Sequence, residues 1–337
     1  MGKRKSNIGG LARFVLEANN NTPEPFATSS SISVTPAQGA ADSKNEENIL
    51  ETPEPRPKKK QKLRTGLLGS GLERIDATGL VPFYTEASQV PEHLQKYFSQ
   101  RERFFSLYSS GCLLDEEGWY SVTPEKIADQ IAERCRCDVV LDAFCGVGGN
   151  AIAFAKTCER VIALDVSPIR LALARHNAAL YGVEDRIEFV LMDFFSFART
   201  LNNAANSSRA RRKIDAVFLS PPWGGPAYLA GSPTKASAKV AATGEEGEAH
   251  ADYSLESIRP VHGAELFKIA RGITKNIAYF LPRNSNLEEI SALVKDSSTG
   301  AAVEKVEVEE EWMGTKLKAL TCYFGGFVTG QENMFEA

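Results

Sequence analysis

The glycine-rich segment DAFCGVGGN most constrains what this chain can fold into. It follows an apolar run at 139–141, and Asp142 is its first residue. Gly146 and Gly148 let the backbone approach a ligand closely and open a helix whose N-terminus faces that ligand. With Ala151 the segment also satisfies the dinucleotide pattern G-x-G-x-x-G/A, so nicotinamide and flavin enzymes are alternatives. The Asp142 carboxylate favours a cationic ligand, because it would repel a pyrophosphate.

Strand and helix signals alternate after this segment, which indicates an α/β fold with a mostly parallel sheet. In one well-marked helix Ser167 can serve as the N-cap and Gly182 ends the helix. Its apolar face is predicted to contain Ile169, Leu173 and Leu180. Seven strands are predicted, the last two as an antiparallel hairpin, at 139–141, 161–164, 187–191, 214–219, 277–281, 303–312 and 317–327.

The N-terminal part differs in composition from the rest of the chain. Residues 1–75 are predicted to be a disordered tail, because most of this range is rich in Pro, Ser, Thr, Asn and Glu. The basic cluster at 57–64 indicates a nuclear localisation signal, with a solvated charge run as the alternative. Residues 1–65 carry 11 Lys and Arg against 7 Asp and Glu, whereas the remainder carries 28 against 36. An acidic body argues against extensive binding of a nucleic acid backbone, so the substrate contact should be local.

The remaining chain divides into a cap and a catalytic domain. Aromatic and charged residues alternate at helical spacing between Pro91 and Leu114, which predicts a small helical cap within 76–125. The catalytic domain is predicted at 126–337, with a low-complexity surface insertion at about 229–263. No apolar run reaches the roughly 20 residues of a membrane span, and no membrane partner is expected. The six cysteines lack the paired spacing of a zinc site, so no metal is expected.

Acidic residues follow three successive predicted strands. Asp142 ends the first strand, Asp165 follows the second, and Asp193 comes two residues after the third. The carboxyl ends of parallel strands share one edge of a sheet, where ligands bind in such folds. Asp165 suits ribose hydroxyls, and Asp193 with Phe194 could present a carboxylate and a ring to an adenine. Each acid taken alone could equally be a loop or helix-capping residue.

The string SPPW at 220–223 directly follows the fourth strand. Its two prolines restrict the backbone so that a carbonyl points into the site, and a flat aromatic ring follows. This arrangement supplies acceptors for the hydrogens of an exocyclic amine and a surface on which a base can stack. It predicts an amino-methyltransferase with Ser220, Pro221 and Trp223 at the methyl-transfer centre. A Pro-rich turn with a core Trp is the alternative.

Five segments together resemble the trimethylguanosine synthase family of RNA cap methyltransferases. They are SPPWGGP at 220–226, DAFCGVGGN at 142–150, LDEEGWYSVTPEKIA at 114–128, ALARHNAALYGV at 172–183 and YFLPRN at 279–284. The resemblance implies a class I, Rossmann-like methyltransferase that uses S-adenosyl-L-methionine. It also implies the reaction, which is methylation at N2 of a 7-methylguanosine cap to give 2,2,7-trimethylguanosine.

The resemblance also implies two groups of ligand-binding residues. Those that would hold the cofactor are Asp142, Gly146, Gly148, Asp165, Asp193, Phe194, Ser121 and Thr123. Those that would hold the cap are Trp223 with Ser220 and Pro221 near its amine, Phe105 closing over the ligands, and Lys96, Tyr228, Arg283 and Asn284 at its phosphates. The chain departs from the family pattern at Leu113, where a Lys is common, and at Ala227, where an Asp is common.

The substrates of the resembled family are small nuclear, small nucleolar and telomerase RNAs. A nuclear location, with nucleolar or Cajal-body-like sites and the cytoplasm as further places, is therefore expected, as are contacts with small ribonucleoprotein core proteins. Two alternatives are open from the residues. One is an amino-methyltransferase for another nucleobase or for a protein side chain, and the other is a non-catalytic binder of capped RNA.

Overall fold

A computed structural model of the chain describes residues 13–17, 66–204, 213–225, 252–294 and 304–335. None of the helices in these ranges is long and apolar enough to cross a membrane. The basic cluster at 57–64 and residues 226–251, which include most of the predicted insertion, lie outside the described residues.

The centre of the fold is an eight-stranded sheet with the order β1-β7-β8-β6-β5-β2-β3-β4. Strands β6, β5, β2, β3 and β4 are parallel to one another. The β8 strand pairs antiparallel with β6, β7 with β8, and β1 with β7. The bounds are β1 Arg13–Glu17, β2 Val139–Asp142, β3 Arg160–Asp165, β4 Ile187–Leu191, β5 Ala216–Leu219, β6 Ile277–Pro282, β7 Lys305–Met313 and β8 Lys316–Phe324. The predicted α/β fold and terminal hairpin are confirmed, and each predicted strand has a counterpart.

The helices cover both faces of the sheet, which therefore has two hydrophobic clusters of buried side chains. In chain order they are α1 Gln95–Phe98, α2 Arg101–Phe104, α3 Glu116–Ser121, α4 Glu125–Arg134, α5 Gly149–Thr157, α6 Pro168–Leu180, α7 Phe194–Ala204, α8 Gly263–Arg271 and α9 Leu287–Ala292.

Local signals explain where α6 begins and ends. The Ser167 hydroxyl accepts a hydrogen bond from the amide of Arg170 at 3.3 Å, which is the predicted N-cap interaction. Gly182 follows the helix with φ 64°, a left-handed conformation that glycine adopts at little cost. Leu173 is fully buried as predicted, but Ile169 is 48% exposed. Ile169 lies in the first turn of α6, where the described neighbours do not cover that side of the helix.

Strand β1 is the main departure from the predicted sheet. Seven strands were expected, and the eighth comes from the range predicted to be a disordered tail. Residues 13–17 pair antiparallel with β7, from Arg13 opposite Glu309 to Glu17 opposite Lys305. Residues 66–75 are also described, as a series of turns next to the cap. An isolated short strand has little signal of its own, because the edge with which it pairs lies almost 300 residues away in sequence.

The described end of the predicted insertion belongs to the core. Tyr253, Leu255 and Ile258 are each at most 1% exposed, and Tyr253 forms a parallel β-bridge with Ser285, three residues after β6. The prediction of a surface segment up to residue 263 is therefore wrong for Tyr253, Leu255 and Ile258, whereas the polar residues between them are at least partly exposed. These apolar residues are too widely spaced among polar ones to be recognised as packed without their tertiary neighbours.

The cap consists of short helices and turns packed around aromatic rings. Trp119 and Tyr108 are each 2% exposed, and their ring centroids lie 5.5 Å apart. The buried Asn177 of α6 joins the cap to the glycine-rich turn: its side-chain nitrogen donates to the carbonyls of Leu113 at 2.9 Å and Val147 at 3.0 Å. Its side-chain oxygen accepts from the amide of Leu113 at 2.8 Å. The cap is thus fixed directly above the carboxyl edge of the sheet.

Candidate active site

The carboxyl ends of the parallel strands bring most of the predicted site residues to one edge of the sheet. Asp142 ends β2, Asp165 ends β3, and Ser220 follows β5 immediately. Strands β5, β2 and β3 are consecutive in the sheet, so these three positions are neighbours across it. Arg283 follows β6, the next strand on the other side of β5.

Asp142 is the buried acid of the site. It is fully buried, and its Oδ1 accepts a hydrogen bond from the amide of Phe144 at 3.3 Å. Its Oδ2 has no hydrogen-bond partner among the described residues. Burial raises the pKa of this carboxyl group to about 7, because little around it stabilises the charge. A buried oxygen without a partner is a site for a cationic or hydrogen-bond-donating ligand.

Asp165 holds the glycine-rich turn against the end of β3. Its two carboxylate oxygens accept from the amides of Gly146 at 3.1 Å and Ser167 at 2.7 Å. Burial raises the pKa of Asp165, and this effect outweighs the backbone hydrogen bonds that favour the charged form. The neighbouring Val166 is 69% exposed. Val166 therefore offers an apolar surface beside the Asp165 carboxylate. Sequence reasoning missed this residue, although its position directly after Asp165 could have indicated it.

Two glycines of the turn have backbone conformations that favour glycine. Gly146 has φ 53° and open space where a side chain would be, and Gly148 has φ 93° at the N-cap of α5. A Cβ atom at Gly148 would meet Ala174 at 3.1 Å, so α6 packs closely against this turn. The turn therefore exposes backbone at Gly146 and presents the N-terminus of α5 to the same edge.

Thr123 and Ser121 come to the site from the cap side. Thr123 is 4% exposed, and its hydroxyl accepts from the side-chain nitrogen of Asn150 in the first turn of α5 at 3.0 Å. Ser121 is the last residue of α3 and is exposed. Thr123 thus supports the glycine-rich turn, and Ser121 stands at its rim.

Asp193 and Phe194 form a helix start. Oδ1 of Asp193 accepts from the amide of Ser196 at 2.8 Å. Hydrogen bonds from the side chain and the backbone of Ser196 lower the pKa of the Asp193 carboxyl group. This is the helix-capping alternative considered for the acid. Phe194 is 1% exposed and packs on Phe144, with ring centroids 6.1 Å apart. The expectation that the Phe194 ring faces a ligand is therefore wrong, because the ring fills the core beneath the site.

The SPPW string connects β5 to the glycine-rich segment. The Ser220 hydroxyl donates to the backbone carbonyl of Phe144 at 3.4 Å, so the lone pairs of Ser220 are directed away from that bond and can accept hydrogens. Pro221 is buried. Trp223 is half-buried, and its ring lies 5.2 Å from that of Phe280 at an interplanar angle of 35°. Its backbone carbonyl accepts from the Tyr253 hydroxyl at 3.1 Å.

Phe280 and Tyr253 support Trp223 and were missed by sequence reasoning. Phe280 is a strand residue of β6, and Tyr253 lies in the range predicted as an exposed insertion. The YFLPRN segment contains Phe280, but nothing local relates it to a tryptophan 57 residues earlier. Only the pairing of β5 with β6 brings the two rings together.

The other residues predicted to bind the RNA cap differ in exposure and in hydrogen-bond partners. Lys96 is exposed, with its Nζ 4.8 Å from the centre of the Tyr97 ring. Arg283 donates to the carbonyl of Leu317 at 3.3 Å, and the backbone carbonyl of Asn284 accepts from the Tyr253 amide at 2.7 Å. Tyr228 and Ala227 lie outside the described residues.

Phe105 is not available as a lid over ligands. It is 2% exposed, and its ring packs 6.2 Å from that of Tyr181 at the end of α6. The expectation that Phe105 closes over the ligands is therefore wrong for this structure, since the ring is packed in the hydrophobic core beneath the helical cap. Leu113 is also buried, at 1% exposure, so a lysine could not replace it there without a charged partner.

The edge as a whole suits S-adenosylmethionine. The unpartnered Oδ2 of Asp142 can receive the positively charged end of this ligand, and the open backbone at Gly146 leaves room beside it. Asp165 and Val166 stand at the next strand end, where a nucleoside binds in such folds. Among the described residues, no group of three or more His, Cys, Asp or Glu side chains could hold a metal ion.

Comparisons with known proteins agree with this geometry. A model of the RNA cap guanine-N2 methyltransferase family matches residues 137–234 and 241–327. The trimethylguanosine synthase of Schizosaccharomyces pombe is 35% identical over 257 residues, which cover 75% of this chain and 94% of that protein. The Saccharomyces cerevisiae trimethylguanosine synthase is 33% identical over 205 residues, which cover 59% of this chain and 57% of that protein. The chain therefore belongs to the RNA cap guanine-N2 methyltransferase family, and its methyl donor is S-adenosylmethionine.

Proposed function

We propose that this enzyme methylates N2 of the 7-methylguanosine cap of small nuclear and small nucleolar RNAs and forms 2,2,7-trimethylguanosine. S-adenosylmethionine supplies the methyl group as a sulfonium electrophile with a neutral leaving group. The protein's own task is to hold a weakly nucleophilic amine in the correct orientation, which can account for several kcal/mol of catalysis.

One observation carries this proposal: the side chains of Ser220 and Asp142 both hydrogen-bond to the backbone of Phe144, in the turn that follows β2. The Ser220 hydroxyl donates to the carbonyl of Phe144, whose amide donates to Asp142. The acceptor for the amine hydrogens and the acid for the methyl donor are thereby held at adjacent strand ends. No dedicated general base is needed in this arrangement, since Ser220 and the Pro221 carbonyl accept the amine hydrogens and the proton leaves to water late.

Trp223 supplies the preference for a methylated guanine. A 7-methylguanine is positively charged, and stacking on an indole gains roughly 1 to 2 kcal/mol over neutral guanine from the cation–π interaction. The packing of Trp223 on Phe280 restrains the indole before a ligand arrives. The enzyme should therefore require prior methylation at N7.

The test measures release of S-adenosylhomocysteine with 7-methyl-GTP, with GTP as the control. Release with 7-methyl-GTP but not GTP supports the proposal, and mass spectrometry of the product decides between one and two added methyl groups. Release with neither compound, but with a glutamine peptide or another base, would favour a different amino-methyltransferase. Binding of 7-methyl-GTP without release would favour a non-catalytic cap-binding protein.

Location in the nucleus is a second part of the proposal. It is supported by the basic cluster at 57–64 and by the nuclear RNAs that would be the substrates. Small ribonucleoprotein core proteins would then be partners. A fluorescent fusion in which the lysines of this cluster are replaced by alanine should remain cytoplasmic, whereas the unchanged fusion should enter the nucleus. Equal distributions of the two fusions would contradict the assignment of the cluster.

A further inference from the structure

Two cysteine thiols lie next to each other at the amino edge of the parallel strands, opposite to the site. Cys137 comes two residues before β2, and Cys158 comes two residues before β3. The parallel register of these strands pairs Val139 with Arg160. Two residues earlier on both strands, the same register places Cys137 opposite Cys158. Their Sγ atoms are 3.9 Å apart, and both thiols are free.

The spacing of this cysteine pair suits a disulfide bond. Residues opposite each other on neighbouring strands are separated by about 4.8 Å, which lies within the range of roughly 4.4 to 6.8 Å between the Cα atoms of a disulfide. The sulfur atoms are already in contact, so small side-chain rotations would bring them to a bond length of about 2 Å. Oxidation would therefore need no change in the pairing of β2 with β3.

The surroundings of the pair favour a thiolate. A hydrogen bond from the Cys137 thiol lowers the pKa of Cys158 to about 7, against the opposing effect of burial. The same hydrogen bond raises the pKa of Cys137, so the two sulfurs share one proton near neutral pH. The Arg136 guanidinium donates to the carbonyl of Thr157 at 3.2 Å, and its positive charge also favours the thiolate.

Access distinguishes this pair from the remaining cysteines of the chain. Cys137 is half-buried and gives a dissolved oxidant a way to the pair, whereas Cys158 lies behind it at 2% exposure. The other four cysteines are buried, and burial raises the pKa of each thiol; they are Cys112, Cys135, Cys145 and Cys322. An oxidation should therefore begin at Cys137 and end at Cys158.

A bond between these two cysteines would close a loop around the cofactor-binding part of the chain. Residues 138–157 comprise β2, the glycine-rich turn and α5, and they include Asp142. A cross-link between the two ends of this segment opposes its local opening, because the opened state loses chain entropy. The sulfur atoms lie at the amino ends of the strands, so the bond would leave the carboxyl edge free for ligands.

We propose that Cys137 and Cys158 form a reversible oxidation site for low-molecular-weight disulfides, and that the resulting bond clamps the cofactor-binding segment. The shared proton moves to Cys158, and the Cys137 thiolate attacks one sulfur of the oxidant, whose S–S bond breaks. The first thiolate that leaves takes up the proton of Cys158. The Cys158 thiolate then attacks the Cys137 sulfur, forms the internal disulfide and releases the second thiolate, which is protonated by water. The protein loses two hydrogen atoms, and the oxidant becomes two thiols.

The experiment equilibrates the full-length protein in buffers with increasing ratios of glutathione disulfide to glutathione. Alkylation of the free thiols followed by peptide mapping should find one internal bond, between Cys137 and Cys158, with the other four cysteines alkylated. The oxidised protein should melt about 2 to 4 °C higher, and hydrogen exchange within 138–157 should slow about threefold or more. Affinity for S-adenosylmethionine should change less than about twofold, and excess dithiothreitol should reverse every change.

Single variants separate the roles of the two thiols. Cys158→Ala keeps the accessible sulfur and should accumulate a mixed disulfide with one glutathione, whereas Cys137→Ala keeps only the buried sulfur and should stay reduced. Neither variant should melt higher after oxidation. The matched control is Cys135→Ala, because the Cys135 carbonyl accepts from the Cys158 thiol at 3.7 Å and its own thiol is the nearest alternative partner. This control should form the internal bond like the unchanged protein.

Three results would overturn the proposal. The first is an unchanged protein that stays fully reduced in glutathione disulfide alone, and the second is a bond that joins Cys158 to Cys135. The third is equal melting temperature and equal hydrogen exchange in the oxidised and reduced protein, which would show that the bond clamps nothing. Peptide mapping of the unchanged protein decides the first two results even if a variant fails to fold. None of the measurements requires methylation of a cap, so they stand apart from the test of the proposed function.

Discussion

Asp142 is the residue whose protonation should control cofactor binding. Burial raises the pKa of this carboxyl group to about 7 in the structure described here, and only the ionised form attracts a cationic ligand. The affinity for S-adenosylmethionine should therefore rise roughly tenfold per pH unit between pH 5 and 7 and level off above pH 7. Calorimetric titrations across this range measure the effect. In Asp142→Asn the affinity should be low and independent of pH.

The same shift predicts the opposite trend for stability. The folded pKa of Asp142 lies above its value in the unfolded chain, so its contribution to stability is present below about pH 4 and is lost as pH rises through 7. Glu311 provides the control, because it is also buried, its carboxylate accepts from Thr321 at 2.5 Å, and burial raises its pKa to about 7. Glu311→Gln should flatten the dependence of stability on pH without changing that of cofactor affinity. A pH-dependent affinity that disappears in Glu311→Gln would show that Asp142 is not the group responsible.

Trp223 tests whether the cap base stacks where we propose. Trp223→Ala should abolish binding of 7-methyl-GTP, whereas Trp223→Phe should keep part of it because a smaller ring has a weaker quadrupole. Cofactor affinity should survive in both variants. The indole is half-buried against Phe280, so the alanine variant should also lose some stability. Parallel loss of both ligands, with a large fall in melting temperature of both variants, would indicate a purely structural tryptophan.

At the scale of elements, Asn177 is the joint between the cap, α6 and the glycine-rich turn. Asn177→Ala removes three buried hydrogen bonds to Leu113 and Val147 and should lower the free energy of unfolding by about 3 kcal/mol. Cofactor affinity should fall as well, because the Val147 carbonyl lies within that turn. Urea denaturation and cofactor titration check the two effects. Asn177→Asp keeps only the acceptor for the Leu113 amide and should be destabilised for lack of donors; an unchanged stability in the alanine variant would contradict this role.

At the scale of the whole molecule, the N-terminal range contributes strand β1, and none of its described residues belongs to the site. Strand β1 is the outer strand of the sheet, and β7, β8 and β6 separate it from β5. Deletion of residues 1–64 should therefore leave methylation of 7-methyl-GTP within about threefold and lower the melting temperature by a few degrees. Deletion of residues 1–10, which retains β1, should change neither. Loss of activity in the longer deletion with its melting temperature preserved would mean that this range takes part in catalysis.

The sequence by itself determined the strand-end chemistry of this protein. Asp142, Asp165 and Ser220 were predicted to meet at one edge, and the parallel order of β5, β2 and β3 places them there. This was predictable because each residue directly follows an apolar strand, and parallel strands share one carboxyl edge. The glycine conformations at 146 and 148 likewise follow from local steric rules.

Only the tertiary structure decided which residues are covered. Phe194 and Phe105 are buried, and Tyr253 belongs to the core despite its low-complexity surroundings. Strand β1 exists through its pairing with the distant β7. The physical reason is the same in each case: burial and strand pairing depend on partners far away in the chain, and local propensity carries no information about those partners.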